Sequence, residues 1–230
     1  MSKKSKSRSK PSPSEPRAQP RPEPRLYVVT PPLADARDFA PKLEAALGAA
    51  DVACLLLMLD TTDAAAIRAI TGLLAPIAER HGAALMLSTA PAVARAAGVD
   101  GINVRGAGPA LAEALAALKP DHIVGASGLR SRHDAMTAGE EDIDYLMFGD
   151  PAPDGWTPPM EDTLDRVAWW AEIFNVPCVG FAPSLDEITP LVLAGADFVA
   201  LGEAIWNDPR GPAEAARAAM DALRASVGAA

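Results

Sequence analysis

The chain repeats one pattern eight times between Leu26 and Ala229: a short apolar segment, a turn, and a stretch with helical spacing. Each apolar segment has the length of a strand rather than of a helix. These segments are Leu26–Val29, Ala53–Leu59, Ala84–Ser88, Gly101–Val104, His122–Ser127, Tyr145–Gly149, Pro177–Phe181 and Phe198–Gly202. Eight strand-then-helix units of this size predict an α/β protein with the closed (β/α)8 architecture of a TIM barrel.

Most of the apolar segments lack polar residues at alternate positions. That pattern is typical of parallel strands that are covered on both faces, here by a packed barrel interior and by a helix layer. The stretches between them carry apolar residues at helical spacing, as in Ile67, Ile70 and Leu74. They are therefore predicted to be amphipathic helices on the outside of the barrel.

Start and stop signals agree with this division of the chain. Asp63 and Ser131 precede helical stretches as N-caps, and Ser184 with Glu187 has the spacing of a capping box. Proline occupies the first helical turn at positions 91 and 109, where a missing N–H costs nothing. Left-handed C-caps are predicted at the glycines that follow helical stretches, Gly98, Gly139 and Gly195.

The first 25 residues differ from the rest in composition and charge. Ser, Lys, Arg and Pro dominate this segment, which holds 8 Lys or Arg and 2 Glu, whereas residues 26–230 hold 13 basic and 28 acidic residues. A segment of this composition buries too little apolar surface to offset the entropy of ordering it. We predict a disordered basic tail over residues 1–25 and a single barrel domain over residues 26–230.

Composition also narrows the compartment and the partners. No stretch approaches the ~20 apolar residues of a membrane span, and the N-terminus lacks the apolar centre of a secretory signal, so we expect a cytoplasmic protein without a membrane partner. The acidic barrel argues against nucleic acid, except for weak contact through the tail.

Cys54 and Cys178 lie within apolar segments and are predicted to be core residues. Exposed members of the late tryptophans Trp156, Trp169, Trp170 and Trp206 could mark a homodimer contact.

Ligands of a TIM barrel bind at the carboxyl ends of the strands. At these positions the chain carries polar side chains and one glycine. The candidate ligand-binding residues are Asp60, Thr89, Arg105, Ser127, Arg130, Asp150, Ser184, Gly202 and Glu203. No nucleophile, base or catalytic group stands out among them, so the catalytic residues are left unassigned.

The chemistry of these candidates favours a small molecule, with a phosphorylated one as an open alternative. The seventh and eighth loops are the usual phosphate site, but Pro183 offers no N–H there and Glu203 adds a negative charge. The fixed donors of Arg105 or Arg130 can grip a phosphate instead. Asp60 and Asp150 come from loops that are not adjacent, which is a poor arrangement for magnesium, so no metal site is predicted.

Six blocks, in this order along the chain, resemble the thiamine phosphate synthase family. They are LYVVT at the first strand, GVDGINV at the fourth, HIVGAS at the fifth, DYLMFGDPAP at the sixth, VPCVGF at the seventh and AGADFVALGEAIW at the eighth. The resemblance runs from about Leu26 to Ser226. It implies a TIM-barrel transferase of thiamine biosynthesis, which joins an aminopyrimidine pyrophosphate to a thiazole phosphate and releases pyrophosphate with the help of magnesium.

The resemblance also implies which residues stand at the family's functional positions. On the second strand the family has a glutamine and two cationic residues, and this chain has Leu56, Met58 and Asp60 at those positions. At the positions of the family's two magnesium-binding aspartates it has Thr89 and Gly108. In the later loops this chain has Asp154 to Thr157 where the family has Thr-x-Thr-Lys, and Ala182 and Pro183 where the family has Gly-Gly. It has Glu203 where the family has a serine. The family serine of the fifth loop is retained as Ser127, whereas the tautomerase branch's histidine is replaced by Leu129.

These replacements remove most of the charge that would stabilise a departing pyrophosphate. Loss of one preorganised donor of this kind typically raises a barrier by ~3 to 4 kcal/mol, so negligible synthase turnover and no need for magnesium are predicted. Three hypotheses stay open at this point. The chain is a family synthase, a barrel of the same descent that binds another small molecule without catalysis, or a regulatory or interaction protein.

Overall fold

The computed structural model describes residues 22–228, which form a closed barrel of eight parallel strands in the order in which they occur along the chain. The strands are β1 (Arg25–Val29), β2 (Val52–Leu57), β3 (Ala84–Leu87), β4 (Gly101–Arg105), β5 (Ile123–Ser127), β6 (Tyr145–Phe148), β7 (Cys178–Ala182) and β8 (Phe198–Leu201). The predicted (β/α)8 TIM barrel is therefore confirmed. Every strand lies within two residues of its predicted bounds.

Helices follow the strands and cover the outside of the barrel. They are α1 (Ala40–Leu47), α2 (Ala64–Arg80), α3 (Pro91–Ala97), α4 (Pro109–Leu118), α5 (Arg132–Gly139), α6 (Met160–Ile173), α7 (Ile188–Leu193), α8 (Glu203–Trp206) and α9 (Pro212–Val227). No helix within residues 22–228 is both long enough and apolar enough to cross a bilayer. Residues 1–21, which make up most of the predicted tail, lie outside the described part, and β1 begins at Arg25.

Two apolar clusters explain why the strands carry so few polar residues. One lies between the strands and the helices, and the other fills the barrel interior with inward-facing side chains, among them Leu56, Met86 and Met147. Because successive strand residues point to opposite faces, each strand supplies both clusters. Cys54 and Cys178 are buried, Cys54 in the interior cluster and Cys178 in the outer one.

The predicted helix starts are partly correct. The carboxylate of Asp63 accepts from the N–H groups of Ala65 and Ala66, and Ser131 forms a full capping box with Asp134. The capping box at Ser184 is wrong, because a 3₁₀ turn (Leu185–Glu187) follows Ser184 and α7 begins only at Ile188.

The predictions of left-handed C-caps at three glycines are also partly correct. Gly98 takes the left-handed conformation, with φ of 67°, and Gly195 has a positive φ of 97°. Gly139 is instead the last helical residue of α5, and its role is steric. A Cβ at this position would lie 2.4 Å from Cη2 of Trp170, a ring that is fully buried.

Candidate functional site

A cavity of 440 Å³ opens at the carboxyl ends of the strands, which is the end where TIM barrels bind their ligands. We call it the mouth cavity. Six of the nine candidate residues line it: Asp60, Arg105, Ser127, Asp150, Gly202 and Glu203. Thr89 and Ser184 are not part of its wall, and Arg130 lines a smaller cavity beside it. Six of the nine predicted candidates therefore lie together on one cavity wall, whereas Thr89 and Ser184 lie outside it.

Arg105 and Asp150 form an ion pair that joins the end of β4 to the loop after β6. The second carboxylate oxygen of Asp150 accepts from the N–H of Gly128 at 3.0 Å, so both oxygens have partners. The Arg105 guanidinium lies against Gly128, where a Cβ would come within 3.1 Å of it and φ is +65°. Glycine is thus needed at this turn for its backbone conformation and for the close approach of the arginine.

Two further carboxylates, those of Asp60 and Glu203, are exposed on the cavity wall. Asp60 donates its backbone N–H to the carbonyl of Leu33 at 2.9 Å, which fastens the loop after β2 to the loop after β1. Glu203 is the first residue of α8, and this short helix is held in place by Trp206, whose indole N–H donates to the carbonyl of Val29 at 2.7 Å. Both carboxylates are therefore carried by anchored backbone.

The floor of the mouth cavity is mostly apolar, with side chains from the interior cluster such as Met147 and Phe181. Three buried polar residues interrupt it: Thr30, Asn103 and Ser127. The Thr30 hydroxyl accepts from the N–H of Met58 at 3.0 Å. Asn103 donates from Nδ2 to Oγ of Ser127 at 2.7 Å.

These last two residues end a line of hydrogen bonds that runs through the barrel interior, which we call the polar thread. It comprises Tyr27, Tyr145, Asn103 and Ser127. The two tyrosine hydroxyls are 2.8 Å apart, and the hydroxyl of Tyr145 donates to Oδ1 of Asn103 at 3.1 Å. Because the hydroxyl of Tyr145 donates its proton to Asn103, Tyr27 is the donor in the bond between the two tyrosines. Ser127 already accepts from Asn103, so its own proton is left to donate into the mouth cavity.

Burial sets the protonation states along this thread. It raises the pKa of Tyr27 and of Tyr145 well above the ordinary value, and it raises the pKa of the Cys54 thiol beside them to about 12. In each case the charged form would lose its hydration in the barrel interior. All three groups are therefore neutral near pH 7, and the thread acts by orientation rather than by charge.

Sequence reasoning missed Asn103 and Tyr145 as site-supporting residues. Both lie within segments that the sequence predicts to be apolar strands, and a carboxamide or phenol in such a segment is itself a signal, because a buried polar group needs a partner. The partner cannot be found from the sequence, since Tyr145 and Asn103 are 42 positions apart.

The residues present do not fit magnesium, the ion that the resemblance implies. No group of three or more His, Cys, Asp or Glu side chains suited to a metal occurs within residues 22–228. Asp150 has both oxygens engaged, by Arg105 and Gly128. Magnesium is usually held by one or two carboxylates together with substrate phosphates, but Asp60 and Glu203 follow β2 and β8, which are not adjacent strands.

No histidine or cysteine lines the mouth cavity in the described part of the chain, so the titratable groups on its wall are three carboxylates and one guanidinium. Beside it, Arg130 stacks on the exposed ring of Trp156, with Cζ 5.6 Å from the ring centroid. Such a wall can bind and orient a small molecule, and its carboxylates can accept protons from it. It offers no side-chain nucleophile stronger than a carboxylate or a serine hydroxyl.

Comparison with known proteins adds sequence relatives to this geometry. Residues 26–205 match the family model described as thiamine monophosphate synthase. A thiamine-phosphate synthase of Rhodospirillum centenum is 43% identical over 195 residues, which cover 83% of this chain and 93% of that protein. One from Hyphomonas neptunium is 37% identical over 204 residues, covering 84% of this chain and 91% of that protein.

Solved structures show the same fold. The thiamine phosphate pyrophosphorylase of Pyrococcus furiosus superimposes with a TM-score of 0.75 at 19% identity, covering 90% of this chain and 98% of that one. The 3-hexulose-6-phosphate synthase of Salmonella typhimurium gives a TM-score of 0.68 at 14% identity, covering 87% and 99%. At such identities the likeness concerns the barrel alone.

Proposed function

The chain belongs to the thiamine monophosphate synthase family, and we propose that it binds a small molecule of thiamine biosynthesis in the mouth cavity without coupling the two thiamine precursors at the rate of a synthase. The fold and the family support a ligand at the carboxyl ends of the strands. The finer part of the proposal concerns the charges there.

The observation that carries it is the charge balance of the cavity wall. The wall of the mouth cavity carries the carboxylates of Asp60, Asp150 and Glu203 and one guanidinium, that of Arg105, which is already paired with Asp150. A pyrophosphate leaving group gains negative charge as its bond breaks, and a site that catalyses its departure holds preorganised cations or donors against that charge. An acidic wall opposes the same charge.

The apolar floor and the donor hydroxyl of Ser127 favour a different kind of ligand. A flat heterocycle can bury its apolar faces against Met147 and Phe181 while a ring nitrogen or carbonyl accepts from Ser127. Pyrimidine and thiazole rings both have this character. Binding of either precursor ring therefore needs no pyrophosphate to be held in the mouth cavity.

Two measurements on the purified protein test the proposal. A coupling assay would supply aminopyrimidine pyrophosphate, thiazole phosphate and magnesium, with a synthase of known activity as the positive control. We expect no thiamine phosphate above the uncatalysed background. Product formed at a turnover of about 1 s⁻¹ or more, the ordinary range for enzymes, would refute the proposal.

Ligand binding is then measured by thermal shift with thiamine phosphate and with the unphosphorylated pyrimidine and thiazole alcohols. A ligand at one hundred times its Kd stabilises the folded state by about 2.7 kcal/mol, which is readily seen as a rise in Tm. Ser127→Ala should reduce the rise, whereas Ser184→Ala, at an exposed position outside the cavity wall, should leave it unchanged. No rise with any of the compounds would remove thiamine-related ligands from consideration.

The synthase reaction itself is the second candidate, and one observation favours it. The Rhodospirillum centenum relative shares 43% of its residues with this chain over nearly its whole length and is named as a thiamine-phosphate synthase. If both proteins form product in the coupling assay, the acidic wall described above is compatible with catalysis. The source of charge stabilisation would then have to be sought in a different conformation of the loops.

A further inference from the structure

The mouth of the barrel is divided by charge, and the strand order sets the division. In a closed barrel β8, β1 and β2 are consecutive, and β4, β5 and β6 lie across from them. Asp60 follows β2 and Glu203 follows β8, so both lie on the first side. Arg105 ends β4 and Arg130 follows β5, so these cations lie on the opposite side.

The basic side contains a second, smaller cavity of about 20 Å³ that adjoins the mouth cavity, and three arginines, Arg105, Arg130 and Arg166, line it. We call it the arginine cavity. It shares Arg105, Asp150 and Ala152 with the wall of the mouth cavity. The two cavities therefore lie side by side and have part of their wall in common.

Each guanidinium is placed by a contact with another residue of this cavity. Arg105 lies against Gly128, and Arg130 stacks on Trp156. Arg166, on α6, donates from Nη1 to the carbonyl of Leu129 at 3.4 Å, a long bond. The three cations therefore come from a strand end, a loop and a helix that meet at this cavity.

The cavity carries more positive than negative charge. Asp150 neutralises Arg105, whereas neither Arg130 nor Arg166 forms an ion pair with any residue in the range 22–228. Basic residues are scarce in this barrel, with 13 Lys or Arg against 28 acidic residues after position 25. Arg130 and Arg166 therefore lack a counter-charge of their own within residues 22–228, which favours an anion beside them.

We propose that the arginine cavity is an oxyanion subsite, and that the ligand of the mouth carries a phosphate or carboxylate at this end and an amino or other cationic group at the end near Asp60 and Glu203. The inference rests on the proposed function, whose ligand it describes more closely. It differs in position from the usual phosphate site of these barrels, which lies in the seventh and eighth loops.

The size of the arginine cavity fits part of such a group. A volume of about 20 Å³ holds one water-sized group. A single oxygen of the oxyanion therefore enters between the guanidiniums, and the remaining oxygens stay in the adjoining mouth cavity. Guanidinium groups bind carboxylate and phosphate oxygens with paired donors, so both anion types suit the site.

The test uses defined probes in isothermal titration calorimetry with the full chain. One arm is a series of ω-aminoalkyl phosphates with increasing chain length, and a second is the matching series of ω-amino carboxylates. Alkyl phosphates without the amine and alkylamines without the phosphate complete the set. We expect the dipolar probes to bind about tenfold or more tightly than either single-charge probe, since each lost charge-assisted hydrogen bond costs about that factor. Comparison of the first two arms identifies the preferred oxyanion.

Variants then locate the two ends of the probe. Arg130→Gln and Arg166→Gln should each weaken the aminoalkyl phosphate about tenfold while leaving the alkylamine unaffected. Arg132→Gln is the matched control, because Arg132 stacks on Trp169 with Cζ 4.9 Å from the ring centroid and is not part of the arginine cavity. Asp60→Asn and Glu203→Gln should remove the advantage of the amine and preserve phosphate binding.

Each outcome decides one of the two proposals. If the Arg130 and Arg166 variants bind every phosphate and carboxylate probe as the unaltered protein does, the oxyanion subsite is refuted, even when an uncharged pyrimidine alcohol still raises Tm. Equal affinity for aminoalkyl and alkyl phosphates refutes the cationic end. Thiamine phosphate formed in the coupling assay refutes the proposed function instead, whichever way the probes bind.

Discussion

Tyr145→Phe tests the polar thread, because it removes one oxygen atom and leaves the ring and its packing in place. The hydroxyl of Tyr145 accepts from Tyr27 at 2.8 Å and donates to Asn103 at 3.1 Å. All of these groups are buried in the barrel interior. The substitution therefore leaves both the Tyr27 hydroxyl and Oδ1 of Asn103 without their partners in the thread.

The magnitude follows from the number of groups that lose a partner. A buried polar group left unsatisfied costs about 1 to 3 kcal/mol, and at about 1.5 kcal/mol each, two of them lower the free energy of unfolding by about 3 kcal/mol. For a domain of this size each kcal/mol shifts Tm by about 2 to 4 °C. A fall of about 6 to 12 °C is expected. Tyr27→Phe should cost only about 1 kcal/mol, because Tyr145 keeps its bond to Asn103.

Urea unfolding followed by circular dichroism measures both variants and the double variant Tyr27→Phe with Tyr145→Phe. Once Tyr27 has no hydroxyl, its orphaned donor no longer exists, so the double variant should lose less stability than the sum of the single ones. A Tyr145→Phe protein within about 0.5 kcal/mol of the unaltered chain, the usual range of a surface substitution, would show that the thread contributes nothing. Strictly additive losses would show that the two hydroxyls do not interact.

Three further predictions concern stability. Burial raises the pKa of Tyr27, so its contribution to stability is fully present below the unfolded-state pKa of about 10 and is lost at higher pH. Tm should therefore fall above that pH, and it should fall less steeply in Tyr27→Phe. Gly139→Ala places a methyl group 2.4 Å from Trp170 and should lower the free energy of unfolding by about 1 to 3 kcal/mol in thermal melts. Gly72→Ala is the control, because the space around this position in the interior of α2 is open, and it should raise the free energy of unfolding by about 0.5 to 1 kcal/mol. Equal effects of the two substitutions would contradict the packing argument. Deleting residues 1–21 should leave Tm unchanged, and a drop of several degrees would show that this segment packs on the barrel.

The architecture could be predicted because its signal is repeated and local. Eight apolar segments of similar length, separated by helical spacing, leave few arrangements other than the closed barrel, and the strand bounds shift by two residues at most. Local hydrogen bonds such as those at Asp63 and Ser131 also follow from neighbouring residues. Gly139 shows the limit, because its reason is a tryptophan that arrives from the next helix.

The site was predictable in position and only partly in chemistry. The carboxyl ends of the strands identify Asp60, Ser127 and Glu203 from order alone. The partner of Arg105 is Asp150, 45 positions away, and nothing in the sequence indicates that these two side chains meet. Arg166 was not a candidate, since it belongs to a helix, and only the folded chain brings it to the arginine cavity.

The placement of opposite charges across the barrel mouth has a consequence for how molecules approach it. A field that runs from the arginines toward Asp60 and Glu203 turns an incoming dipole before any atoms touch, and low-dielectric walls strengthen that field. A compound with its charged ends exchanged would be repelled at both of them, whatever its shape. Selection by polarity would thus precede selection by fit, and it should weaken as added salt shortens the range of the field.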